Sequence, residues 1–201
     1  MKNFVLRKNA VLRIAEREIS SLRPAQRESL IGDWWFMDED DPEFRLVPEE
    51  LRIRMRKCDP PDDCTPDTYN PLILIGLAAS YRGVRNSYLE TKLSEYEGED
   101  IRVLGKPEEL FGCPCCGYRS LEKRCEYFIC RVCFWEDDCS ETQDAYSSCN
   151  RMTLEEAENN FFRFGAVSEE AFGYVDKEGE LKYMRDDLCN QDIVYKEAEV
   201  A

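Results

Sequence analysis

The chain has 201 residues, between one and two ordinary domains, and its 43% hydrophobic and 11% aromatic content suffices for a packed interior. It carries 27 basic against 42 acidic residues, a formal net charge of −15, which repels nucleic-acid phosphates and anionic membranes and favours basic partners. It contains no histidine. That excludes a Ser-His-Asp or Cys-His relay, a histidine general base and any His-containing metal site built from this chain alone.

Met1–Arg7 lacks an apolar core of signal-peptide length, and the longest apolar run, Leu72–Ala79, is far short of a membrane span. The expectation is a cytoplasmic protein without a membrane partner. Val11, Ile14, Ala15, Ile19 and Leu22 fall on one face of a first helix. Pro24 opens a second helix running to Trp34 and Trp35, and Asp38-Glu39-Asp40-Asp41-Pro42 stops it. Pro48 opens a third with Leu51 and Met55 four apart, and the proline-rich run Cys58–Pro66 reads as a loop. Asn70-Pro71 reads as an N-cap and N1 proline before a buried helix that Gly83 ends. Asn86 caps another helix, with Leu89, Leu93 and Tyr96 inward and Gly98 at its end, and Ile101–Leu104 is a short strand. Two helices around Gly83 and a following strand outline a winged helix-turn-helix, but Glu90, Glu95 and Glu97 against Lys92 carry the wrong sign for a major groove.

Seven of the eleven cysteines lie between Cys113 and Cys139, a crowding that favours metal binding over a disulfide scaffold. Cys113, Cys116, Cys130 and Cys133 form a C-x2-C, thirteen residues, C-x2-C arrangement. Each C-x2-C turn places two thiolates on one side, and a hairpin between the turns would bring four sulfurs around a tetrahedral cation. Zinc suits an all-sulfur site, and a closed one has no position for a reacting water, so a structural Zn2+ is expected and no enzyme activity. An iron-sulfur centre, a thioredoxin-like redox pair and plain buried thiols are the alternatives. Cys115 and Cys125 lie close enough to compete as ligands; they and Cys58, Cys64, Cys139, Cys149 and Cys189 are expected to be unbridged thiols. Thr153-Leu154-Glu155-Glu156 is a capping box starting a helix with Leu154, Ala157, Phe161 and Phe164 buried and Gly165 at its end. Phe172–Val175 and Glu180–Tyr183 around Asp176–Gly179 predict a β-hairpin. The fold expected is α+β: a mostly helical N-terminal domain, 1–105, then a zinc-knuckle domain, 106–201, with a helix and β-hairpin.

Cys113-Pro114-Cys115-Cys116-Gly117-Tyr118, then Tyr127–Asp138 with its Phe134-Trp135-Glu136-Asp137-Asp138 run, and Leu154-Glu155-Glu156-Ala157 with Asn160-Phe161 and Phe164-Gly165-Ala166, resemble the bacterial cysteine-rich CPCC domain family over 111–166. Asp33-Trp34-Trp35 and Tyr81-Arg82-Gly83-Val84 look like the extension of longer members; relatives often carry proline at Arg131 and glycine at Cys139. The resemblance implies an immunity protein of a polymorphic toxin system, one that binds and neutralises a cognate, basic toxin domain by occluding it. Asp38, Glu39, Asp40, Asp41, Glu136, Asp137 and Asp138 are the candidate contacts, since clustered carboxylates gain when a basic partner neutralises them. The alternative is a zinc-ribbon nucleic-acid-binding or regulatory protein, for which the acidic balance is unfavourable.

Overall fold

A computed structural model describes residues 3–186, and they divide into two compact units. One comprises the described chain up to Arg82 together with Leu89–Lys106; the other comprises Gly83–Tyr88 and the described chain from Pro107 onward.

The first unit opens with strand β1 (Asn3–Leu6), which passes directly into helix α1 (Arg7–Ile19). Helices α2 (Pro24–Trp35), α3 (Glu49–Lys57) and α4 (Asn70–Ser80) follow, then α5 (Asn86–Glu97), whose first turn lies in the other unit, and strand β2 (Ile101–Leu104). β1 pairs with β2 in parallel, Asn3 opposite Ile101 and Leu6 opposite Leu104. The predicted strand is therefore not the wing of a DNA-binding module. Its partner is a four-residue segment almost a hundred positions earlier, invisible to a local pattern because it runs straight into a helix. In β2, Ile101 and Val103 turn inward while Arg102 and Leu104 face out, the period-2 alternation of a half-covered strand.

Ala15, Ile31, Trp35, Phe44, Val47, Leu51, Met55, Tyr69, Leu72 and Ile73 make one apolar cluster, with Trp34 half-buried against it. The Trp35 indole donates to the Cys58 carbonyl at 2.9 Å, which ties the proline-rich loop to α2. Arg27 ties it again: buried to 9% exposure, its guanidinium donates to the carbonyls of Cys64 (2.9 Å), Thr65 (3.4 Å) and Pro66 (3.2 Å) and to Asn70 Oδ1 (2.9 Å). That last bond overturns the expected cap. Asn70 is the first residue of α4, its side-chain oxygen is engaged by Arg27, and Tyr69 precedes the helix without a side-chain cap bond. Tyr96, expected inward, is exposed at the end of α5, whereas Leu89 and Leu93 are buried.

The second unit is built from short pieces: β3 (Phe111–Gly112) with β4 (Arg119–Leu121), β5 (Tyr146–Ser147) with β6 (Met152–Thr153), and helix α6 (Leu154–Phe164). The capping box is present: Thr153 Oγ1 accepts from Glu156 N at 3.2 Å, and Glu156 returns its carboxylate to Thr153 N at 2.8 Å. Gly165 ends the helix at φ 74°; Leu154 and Ala157 are buried, while Phe161 and Phe164 are half-buried. The expected 172–183 hairpin is absent. Glu170–Gly173 is a 3₁₀ turn and Gly179–Lys182 a helical turn, α7, because the backbone is drawn into local turn bonds such as Gly179 N to Asp176 O at 2.9 Å. Arg85 N donates to the Lys182 carbonyl at 2.8 Å and Tyr88 Oη to Glu178 Oε2 at 2.8 Å, which brings Gly83–Tyr88 onto this segment. A Cβ on Gly83 would lie 2.2 Å from Leu110 Cδ1, and its φ of 69° suits glycine.

Among the described residues no helix is long and apolar enough to cross a membrane. Arg27→Met is expected to lower the stability of the first unit by about 3 kcal/mol in urea denaturation, because four acceptors lose one charged donor.

Candidate metal centre

Each C-x2-C segment folds into the same turn. In the first, Cys113 N donates to the Tyr118 carbonyl at 2.9 Å and Gly117 N to the Cys113 carbonyl at 2.8 Å. In the second, Cys130 N donates to the Trp135 carbonyl at 2.8 Å and Phe134 N to the Cys130 carbonyl at 2.8 Å. The residue after the second cysteine takes a left-handed φ in both, 74° at Gly117 and 72° at Phe134. Glycine adopts that conformation without a Cβ penalty; at Phe134 it costs on the order of 1 kcal/mol, offset by stacking of its ring on Tyr174 with centroids 5.4 Å apart.

The segment between the knuckles is not one hairpin. β3 and β4 flank the first knuckle, and the second sits at the tip of its own antiparallel pair, with Ile129 bridged to Glu136 and Asp137 N donating to the Phe128 carbonyl at 3.0 Å. Two tips meeting is what gathers the sulfurs. The Sγ atoms of Cys113, Cys116, Cys130 and Cys133 all lie within 4.8 Å of one another and all four residues are buried. Cys113 and Cys133, and Cys116 and Cys130, approach to 3.6 Å. A tetrahedron with metal–sulfur bonds of about 2.3 Å has edges of about 3.8 Å, so the spacing fits a four-thiolate metal ion.

Burial pushes the thiols of Cys113, Cys116 and Cys133 above the ordinary range. Cys130 feels the same desolvation, but hydrogen bonds from Cys113, Cys116, Cys133 and the Ser120 hydroxyl, 3.0 Å away, outweigh it and hold Cys130 well below a normal thiol. Without a cation the cluster favours one thiolate; four buried thiolates require a positive ion among them. Those donors are the second set of residues at the site, with Val132 N reaching Cys130 Sγ at 3.4 Å. Ser120 is a residue that spacing arguments miss, since no sequence rule points a β4 serine at a cysteine ten positions on.

The remaining cysteines separate by environment. Cys115 is buried beside the cluster and is not one of the four gathered sulfurs. Cys125 and Cys139, expected as free thiols, are joined in a disulfide with Cα atoms 4.4 Å apart. The two turn ends of the second knuckle bring them together, which their separation in sequence conceals. Cys58 and Cys149 are exposed free thiols and Cys64 a buried one; Cys189 lies outside the described residues.

The acidic candidates divide as well. Asp38, Glu39, Asp40 and Asp41 are all exposed, with Asp41 Oδ2 accepting from Asp38 N at 2.9 Å and Glu39 paired to Arg56 at 2.7 Å. Glu136 is half-buried and held by Asn150 through its backbone at 2.9 and 2.8 Å. At Asp138 desolvation raises the pKa, but hydrogen bonds from Ser147 and Ser140 prevail and lower it below the usual carboxylate range. Asp137 is not a surface acid. It is fully buried, accepting from Arg124 Nε at 2.7 Å and Cys125 N at 2.8 Å, and this removes it from any partner face. Its neighbours Glu136 and Asp138 are half-buried, so of the three consecutive acids Asp137 alone is fully buried.

Residues 111–180 match the model of the cysteine-rich CPCC family. This segment is similar to a cysteine-rich CPCC domain. The match includes both knuckles, the disulfide, α6 and the 3₁₀ turn after it. No curated protein and no solved structure matches the chain.

Within the CPCC domain, Arg124→Met is expected to destabilise by about 2 to 3 kcal/mol, because it strands a buried carboxylate. Asp137→Asn should cost less, under about 1.5 kcal/mol, since a neutral amide oxygen still accepts from Cys125 N. Urea midpoints of the two variants compare them directly; a reversed order would show that the ion pair with Arg124 does not carry the energetic weight of the buried carboxylate.

Proposed function

We propose that the CPCC domain holds one structural zinc ion on Cys113, Cys116, Cys130 and Cys133, and that the protein acts by binding another polypeptide, as an immunity protein that occludes a cognate toxin domain. The observation that carries the first part is the burial of four cysteine sulfurs within 4.8 Å of one another. Zinc supplies the charge that four thiolates need and, with its coordination filled, offers no site for activating water. The protein's contribution is to hold the two knuckles at that spacing, with Ser120 and the backbone of Val132 supporting the Cys130 sulfur.

The second part rests on the family resemblance and on the charge of −15, which steers association with a basic surface. The exposure of Asp38–Asp41 and the partial exposure of Glu136 and Asp138 are compatible with contact to a basic partner, which supports this reading. Such charges govern the rate and salt dependence of association; the shape and aromatic content of the contact set affinity and specificity.

Elemental analysis of the purified protein should find about one zinc per chain, and Cys113→Ser or Cys130→Ser should abolish it together with tertiary structure of the CPCC domain. A protein that stays folded and unchanged under chelation would overturn the zinc centre. Co-expression should protect cells from the toxin encoded beside this gene and from no unrelated toxin. Neutralising Asp38–Asp41, Glu136 and Asp138 as their amides should slow complex formation most at low salt, with little change in the dissociation rate. Absence of both complex and protection would overturn the immunity reading and leave the metal centre standing.

A further inference from the structure

The two knuckles are alike in their turns and unlike in how their bases are closed. The first is flanked by the β3–β4 pair, and among the described residues no disulfide closes it. The second is closed by Cys125–Cys139, a covalent link across a sequence separation of 14 that encloses both Cys130 and Cys133. Within that ring the chain is held in an unfavourable shape. Of the five non-glycine residues with left-handed φ among the described residues, four are here: Cys125 (63°), Tyr127 (62°), Phe134 (72°) and Cys139 (73°). Both bridged cysteines are exposed, whereas the metal-site cysteines are buried. A reductant can therefore reach the clamp without touching the centre.

We propose that the Cys125–Cys139 disulfide is a reducible clamp on the metal centre, and that its reduction by a dithiol protein or small dithiol loosens metal retention at Cys130 and Cys133. One thiolate of the dithiol attacks an exposed sulfur, breaking the Sγ–Sγ bond and forming a mixed disulfide. Its second thiol displaces the protein sulfur, so the dithiol leaves as a disulfide and Cys125 and Cys139 together gain two electrons and two protons. Closure of the second knuckle then rests on the Tyr127–Asp137 and Asp137–Phe128 backbone bonds, the Asp137 carboxylate on Cys125 N, and the metal itself. Removing a ring closure restores freedom to the open chain, which favours states in which the two thiolates no longer converge. The inference rests on the zinc reading of the four cysteines.

The test uses the zinc-loaded full chain. Peptide mapping of unreduced protein should recover Cys125 linked to Cys139. Zinc transfer to an excess of chromogenic chelator should be slow in that form and faster by about tenfold or more after dithiothreitol treatment and removal of the reductant under anaerobic conditions. The double substitution Cys125→Ser with Cys139→Ser should transfer zinc at the fast rate whether or not it is treated. If that variant does not fold, the reduced and oxidised wild-type arms decide. Equal transfer rates in those arms, or no Cys125–Cys139 link, would overturn the clamp alone. Failure of both forms to take up zinc would overturn the metal reading and the clamp with it.

Discussion

Four thiols buried within 4.8 Å of one another impose the constraint around which the second half of this protein is arranged. Neutral thiols gain little from one another, and thiolates at that distance repel. The arrangement becomes favourable when a cation sits among them, and the scaffold is already at the spacing such an ion needs. The local design follows: two turns of identical hydrogen bonding, each tolerating one left-handed residue, each presenting its pair of sulfurs from the tip of a short antiparallel pair. Strands of two or three residues have little independent stability, so the ladders alone do not hold this unit together.

Around the tips the chain spends its polar groups inward. Asp137, fully buried, binds Arg124 and the amide of Cys125 at once, so the carboxylate organises the base of the second knuckle while the adjacent acids are only half-buried. Val167 N reaches the Cys133 carbonyl at 2.8 Å and Asp176 N the Arg131 carbonyl at 2.9 Å, so the segment after α6 covers the same knuckle from outside. Within that segment the turns at 170–173 and 179–182 are held by local bonds, Tyr174 N to the Ala171 carbonyl and Tyr183 N to the Gly179 carbonyl, which occupy donors a hairpin would need.

The helical unit solves a different problem with the same means. A proline-rich loop cannot satisfy its own carbonyls, and Arg27 and Trp35 supply donors from α2 to do so. One buried arginine thereby fixes the loop, engages the first residue of α4 and sets where that helix begins.

The sequence by itself determined the helices whose signals are local: α2 behind Pro24, α3 behind Pro48 and α6 from its capping box, each specified by a residue that stops or starts backbone hydrogen bonding within one turn, whereas Asn86, expected as a cap, is the first residue of α5. It also determined the four gathered cysteines, because C-x2-C is itself a turn and two such turns in one segment have few ways to meet. Tertiary structure alone decided the rest. β1 exists through a parallel partner far along the chain. Asn70 was drawn from its cap by an arginine that no spacing rule connects to it. Cys125 and Cys139 became a disulfide, and Asp137 a buried acid paired with half-buried Arg124, once the second knuckle folded back on itself. Local signals decide conformations that one turn can satisfy; pairing and burial depend on which surfaces meet, and that is settled only when the chain has closed.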